Sequence, residues 1–146
     1  MYPLEVRKVM AALGGARTVG GKPETLAELA DVVARGLPSA VVSKLAANAA
    51  PDDPAARRRV AALVTSPSSL KRRRLLSPEA SERAERLART LALAQEAFGD
   101  PAEARTWLNT PHPLLGSSRP IDVAATELGA RQIERLLHNI EHDLPV

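Results

Sequence analysis

The chain of 146 residues contains no cysteine. That removes disulfides, thiolate metal sites and cysteine nucleophiles together, and it is compatible with a reducing compartment. Aromatic side chains are nearly absent as well, with one tyrosine, one phenylalanine and one tryptophan (Tyr2, Phe98 and Trp107). A core must then be assembled from Leu, Val, Ile and a large supply of Ala, which favours closely packed helices. No segment shows the alternation of a half-buried strand. No apolar run approaches the ~20 residues needed to cross a bilayer, and residues 1–10 lack the apolar stretch of a secretory signal. A cytoplasmic protein with no membrane partner is expected. A chain of this length holds one compact domain or two very small ones.

Charge, by contrast, is plentiful and unevenly placed. Divided after Arg74, the first stretch has 13 Lys/Arg against 6 Asp/Glu and the second 7 against 11, which is +7 followed by −4. A basic half suits phosphate and an acidic half repels it, so the halves are expected to face different partners.

Helical spacing recurs along the whole chain, and an all-α fold is predicted. Leu4, Val6, Val9, Met10 and Leu13 share one face before Gly14 and Gly15, and a second glycine pair follows at Gly20 and Gly21. This predicts a short helix and a loop. Thr25 precedes Leu26, Leu29, Ala30 and Val33 at i, i+3, i+4, i+7, with Gly36 placed for a left-handed cap. Val41, Val42, Leu45 and Ala49 predict the next helix, packed on the last as a hairpin.

Four capping residues each followed by proline (Asp53-Pro54, Ser66-Pro67, Ser77-Pro78 and Asp100-Pro101) mark four more helix starts. The first buries Ala56, Val60, Leu63 and Val64; the second begins after Thr65 alone and turns Leu70 inward. Two short helices so tightly joined read as a helix-turn-helix. The third is long, with Ala84, Leu87, Ala88, Leu91, Ala94 and Phe98 inward and ion pairs Glu82 to Arg86 and Glu85 to Arg89. The fourth carries Trp107 and Leu108 and stops before the prolines Pro111 and Pro113. A short helix from Pro120 closes near Gly129, and the last aligns Ile133, Leu136, Leu137, Ile140 and Leu144. The expected division is 1–21, an N-terminal helix and loop; 22–76, the helix-turn-helix region; and 77–146, a small helical module.

The run Lys71 to Arg74 just beyond a capped helix start is an arrangement in which a helix enters a DNA groove. Ser68, Ser69, Lys71 and Arg72 are the candidates to face DNA, with Arg57, Arg58, Arg59 and Arg73 neutralising phosphates. His138 and His142 lie one turn apart beside Glu134 and Glu141, but no fourth ligand converges and ion pairing on the helix surface explains them, so no metal site is assigned. No nucleophile, base and orienting group stand in a recognisable motif. Neither enzyme activity nor a cofactor is expected.

Three stretches then succeed one another in a characteristic order: Phe98-Gly99-Asp100-Pro101, Trp107 to Gly116 (reading WLNTPHPLLG), and Arg119-Pro120-Ile121-Asp122. They resemble the toxin-binding domain of Xre/MbcA/ParS-type antitoxins. The resemblance continues through Thr126-Glu127-Leu128-Gly129-Ala130 to the closing Ile140-Glu141-His142-Asp143-Leu144. Upstream, Leu13 to Arg17, Arg35 to Pro38 and Ser66 to Arg74 look like the Xre-like helical part. Asp143 stands where the family usually has glycine, Ser117 takes a position often held by glycine, and Ala124-Ala125 replaces bulkier apolar residues.

The resemblance implies neutralisation of a cognate RES-domain toxin, an enzyme that consumes NAD or transfers its ADP-ribose, together with repression of the shared operon by a homodimer on operator DNA. On this reading the last helix and tail block the toxin's NAD cleft. The toxin-facing residues are then Arg119, Arg135, His138, Glu141, His142, Asp143, Leu144 and Val146, with Trp107 and Leu114 as core anchors. Two rival readings are a plain helix-turn-helix regulator whose C-terminal half only dimerises, and a structural adaptor.

Overall fold

The computed structural model describes residues 4–143, so Tyr2, Leu144 and Val146 lie outside the described residues. Those described form ten α-helices and one 3-10 turn, with two isolated bridges and no sheet, so the chain is all-α. The helices are α1 (Val6–Ala12), α2 (Gly15–Val19), α3 (Leu26–Arg35), α4 (Ala40–Ala49), α5 (Pro54–Val64), α6 (Pro67–Arg72), α7 (Pro78–Phe98), α8 (Pro101–Asn109), α9 (Pro120–Val123) and α10 (Glu127–Glu141).

The shortage of aromatics shapes the centre of the molecule. Helix α7 buries Ala80, Ser81, Ala84, Leu87, Ala88, Thr90, Leu91, Ala92 and Ala94, most of them small. Small side chains let α1, α3, α4, α5, α8 and α10 all close on this one helix. Its two buried hydroxyls are both engaged: Thr90 Oγ1 donates to the Arg86 carbonyl at 2.9 Å, and Ser81 Oγ accepts from the Leu37 amide at 2.8 Å. A buried polar group so satisfied carries no large desolvation penalty. The apolar cluster around α7 runs from Leu4 to Leu137.

The capping signals act as their chemistry demands. Asp53, Ser66, Ser77 and Asp100 each accept backbone N–H bonds ahead of a first-turn proline, and Thr25 with Glu28 forms a reciprocal capping box.

Four local expectations change. The loop read between the glycine pairs contains a helix, α2, bracketed by Gly14 and Gly20 in the left-handed region. Gly36 is not a left-handed cap, because its φ of 105° and ψ of 122° turn the chain into an extended pairing with residues beyond α6. There the Leu76 amide donates to the Leu37 carbonyl and the Ser39 amide to the Arg74 carbonyl, both at 2.8 Å. Helix α3 accordingly packs on α7, while α4 takes α5 as its main partner, so the expected α3–α4 hairpin does not form. Finally, Gly129 does not end α9. It lies in the first turn of α10, and its amide donates to the capping Thr126 Oγ1 at 3.0 Å.

Candidate functional site

The C-terminal part is built on α7. Helix α10 packs along it, α8 returns beside it, and α9 bridges α8 and α10. Between them, residues 111–118 form a compact loop. The His112 amide donates to the Ser118 carbonyl at 3.0 Å, and the Leu114 amide donates to His112 Nδ1 at 3.1 Å. Trp107 is half-buried between Phe98 and His112, with ring centroids 5.8 and 6.2 Å away. Leu114, expected in the core, is 57% exposed, and Leu115 is buried in its place. A one-residue choice of this kind is made by the 3-10 turn at Pro113–Leu115 and not by any helical period.

Helices α7 and α10 are joined by ion pairs that local spacing did not predict. Arg86 was expected to pair with Glu82; its Nε lies 3.5 Å from Glu127 Oε2 and its Nη1 donates to the Ala125 carbonyl at 2.6 Å. Arg89 Nε lies 3.2 Å from Glu134 Oε1 and 3.9 Å from Glu85, the last as expected. Burial raises the Glu134 carboxyl above its ordinary value, and neighbouring Glu127 and Glu85 add to this while Arg89 and Arg131 oppose it. Arg83 also escaped the sequence reading. Its Nε donates to the Val64 carbonyl at 2.9 Å and ties the end of α5 to α7.

Of the residues assigned to the C-terminal partner, Arg135, His138, Glu141, His142 and Asp143 are all exposed near the end of α10. Helical geometry divides them, since Arg135 and His142 lie on one side while Glu141 turns toward a recess bordered by Leu93 and Glu96 of α7, with His138 at the edge between the two. The imidazoles of His138 and His142 lie tilted by 52° with centroids 4.4 Å apart. Asp143 has a φ of 54° just beyond the helix. Arg119 is half-buried at the start of α9, at the other end of α10, with Asp122 3.9 Å away.

The candidate DNA surface is smaller than its sequence promised. Helix α6 spans six residues and buries none of them fully; Leu70 is half-buried. Ser66 Oγ accepts from the Ser69 amide at 3.2 Å and lies 3.3 and 3.0 Å from the hydroxyls of Ser68 and Ser69, so these serines complete the cap. Lys71, Arg72 and Arg73 are exposed, as is Arg58 on α5. Arg57 donates to the Ala50 and Pro51 carbonyls at 3.3 and 2.7 Å, which commits it to the end of α4.

Comparison with known proteins falls on the same region. Residues 93–142, from the last part of α7 through α10, match the family described as the antitoxin Xre/MbcA/ParS C-terminal toxin-binding domain. A protein named Antitoxin Xre from Yersinia enterocolitica serotype O:8 / biotype 1B is 39% identical over 79 residues, 51% of this chain and 53% of that protein. Another of the same name from Pseudomonas putida KT2440 is 30% identical over 87 residues, 60% of this chain and 55% of that protein. The chain thus spans about half the length of the curated relatives it matches. Over residues 93–142 it is thus similar to the C-terminal toxin-binding domain of the Xre/MbcA/ParS-type antitoxins.

Proposed function

We propose that the chain is an antitoxin that binds a cognate RES-domain toxin, blocks its NAD site with the end of α10 and the tail, and represses its own operon as a DNA-binding dimer. The match of residues 93–142 to a toxin-binding domain carries this reading. The exposed Glu141, His142 and Asp143 at the end of α10 support the blocking step, because carboxylates there compete with dinucleotide phosphates for the cations of an NAD cleft. Truncating one partner of such a buried charge pair costs about 2 to 5 kcal/mol. Removal of residues 142–146 should therefore restore NAD consumption by the co-expressed toxin, and inhibition that persists unchanged would overturn the tail mechanism. Failure of the full chain to capture the toxin would overturn the antitoxin reading itself.

The exposed Lys71, Arg72 and Arg73, with Arg58 nearby in sequence on α5, support the operator-binding half. A two-fold dimer would offer two copies of α6 to a palindrome. Replacing Lys71, Arg72 and Arg73 by alanine should weaken an operator mobility shift and flatten its salt dependence by about one unit of log–log slope per lost phosphate contact. A shift insensitive to salt would refute phosphate contact.

A further inference from the structure

Helical spacing places Leu128, Arg131, Gln132, Arg135, His138 and His142 on one side of α10, and all six are exposed. The carboxylates of the helix lie elsewhere. Glu127 and Glu134 face Arg86 and Arg89 of α7, and Glu141 borders the recess beside Glu96, which His138 meets at the edge of the outer face. Only Glu127, through a 3.3 Å pair with Arg131, reaches the outer side. A stretch of chain that sums to −4 therefore presents, on this exposed face, two guanidinium groups, two adjacent imidazoles tilted by 52° and a leucine 75% exposed.

We infer that this outer face of α10 docks on an acidic surface of the toxin that holds an apolar recess for Leu128. The inference rests on the antitoxin reading and assigns the chemistry of its partner surface. The face lies wholly within the stretch that matches a toxin-binding domain. Leu128 decides between occupants. An exposed leucine gains by entering an apolar pocket of a protein and gains nothing from a phosphate backbone, which would reward further Lys or Arg. The basic run Lys71 to Arg74 stands on and just beyond a different helix.

The test uses the full chain and the cognate RES-domain toxin of the proposed function, with the dissociation constant read at two salt concentrations. Arg135→Glu and Leu128→Asp should each weaken toxin binding about tenfold or more, and Arg135→Glu should reduce the salt dependence. Leu26→Ser, at another exposed leucine outside the matched stretch, should bind as the parent chain does. Circular dichroism melts of the free variants separate a lost contact from a lost fold. Parent-like binding by both α10 variants would overturn the inference and leave the antitoxin reading standing. Absence of binding by the parent chain would overturn that reading. Loss of operator binding without loss of toxin binding would make the face a nucleic-acid surface, and a change in oligomeric mass alone would make it a contact between copies. Both results would overturn the inference.

Discussion

Replacing Gly129 by alanine sets two physical effects against each other. On intrinsic propensity alone, Gly→Ala within a helix gains about 1 kcal/mol. Gly129 has ordinary helical backbone, yet a Cβ there would fall 1.8 Å from the Val123 carbonyl oxygen, and 2.8 Å from both the Val123 carbonyl carbon and Thr126 Oγ1. The colliding atoms are mainly backbone, so the end of α9 must move or the first turn of α10 must open. Overpacking of this kind costs about 1 to 3 kcal/mol, and loss of the Thr126 cap about 1 more. Net destabilisation of about 1 to 3 kcal/mol follows. At about 3 °C per kcal/mol for a chain of this size, Tm should fall by about 3 to 9 °C. Gly21→Ala is the control, since Gly21 has nothing within 4 Å of the added carbon and should leave Tm nearly unchanged. Thermal melts followed at 222 nm decide the matter. A Gly129→Ala protein as stable as the parent, or more so, would refute the claim that this glycine exists for close approach between α9 and α10.

Three other perturbations have definite signs. Ser117 and Asp143 sit at φ of 66° and 54°, so Ser117→Gly and Asp143→Gly should each stabilise by about 0.5 to 1 kcal/mol in urea unfolding, less at Asp143 because aspartate tolerates this region better; a loss of stability at Ser117 would contradict the strain. The raised Glu134 carboxyl favours its protonated form in the fold, so its contribution is complete below the ordinary 4.5 and is lost as pH rises through the folded value. Glu134→Gln should therefore gain relative to the parent as pH climbs above 4.5, and a difference moving the other way in a pH series of unfolding curves would reverse the assignment. Arg86→Met removes the hydrogen bond to the Ala125 carbonyl and should cost about 1 to 2 kcal/mol in the same assay, with a change below about 0.5 counting against the contact.

Helix starts were legible because each is written locally. A side-chain acceptor at Thr25, Asp53, Ser66, Ser77 or Asp100 meets the free amides of the turn that follows, and both parties lie within four residues. Ser117 and Asp143 show the same economy. Their departure from the family's glycines coincides with the two positive φ values found outside glycine among the described residues. Choice of partner is not local. The stripe of α3 reads Leu26, Leu29, Ala30 and Val33, but only Leu29 and Val33 are buried, and Leu26 and Ala30 stay exposed along a groove that all four line together with Glu82 and Glu85. Nothing in the period of a helix says which neighbour will cover it. Arg86 illustrates this for charge, since i+4 spacing from Glu82 is outcompeted by a carboxylate 41 positions away and the Ala125 carbonyl.

The same reasoning bears on what net charge says about a partner. The −4 of the second half invites the idea of an acidic surface, yet Glu127 and Glu134 face Arg86 and Arg89, and Glu141 lies off the outer side of α10. What the helix offers is a cationic outer face around Arg135 and a carboxylate end at Glu141 and Asp143. These differ in sign, and Glu141 lies six residues beyond Arg135, about 9 Å along the axis. At physiological ionic strength the screening length is about 8 Å, so neither charge cancels the other. A single partner must then meet them with opposite potentials, acidic beside the helix and basic beyond its end. On the proposed antitoxin reading, a pocket that binds dinucleotide phosphates would supply the second condition, and the toxin surface at the mouth of that pocket would supply the first.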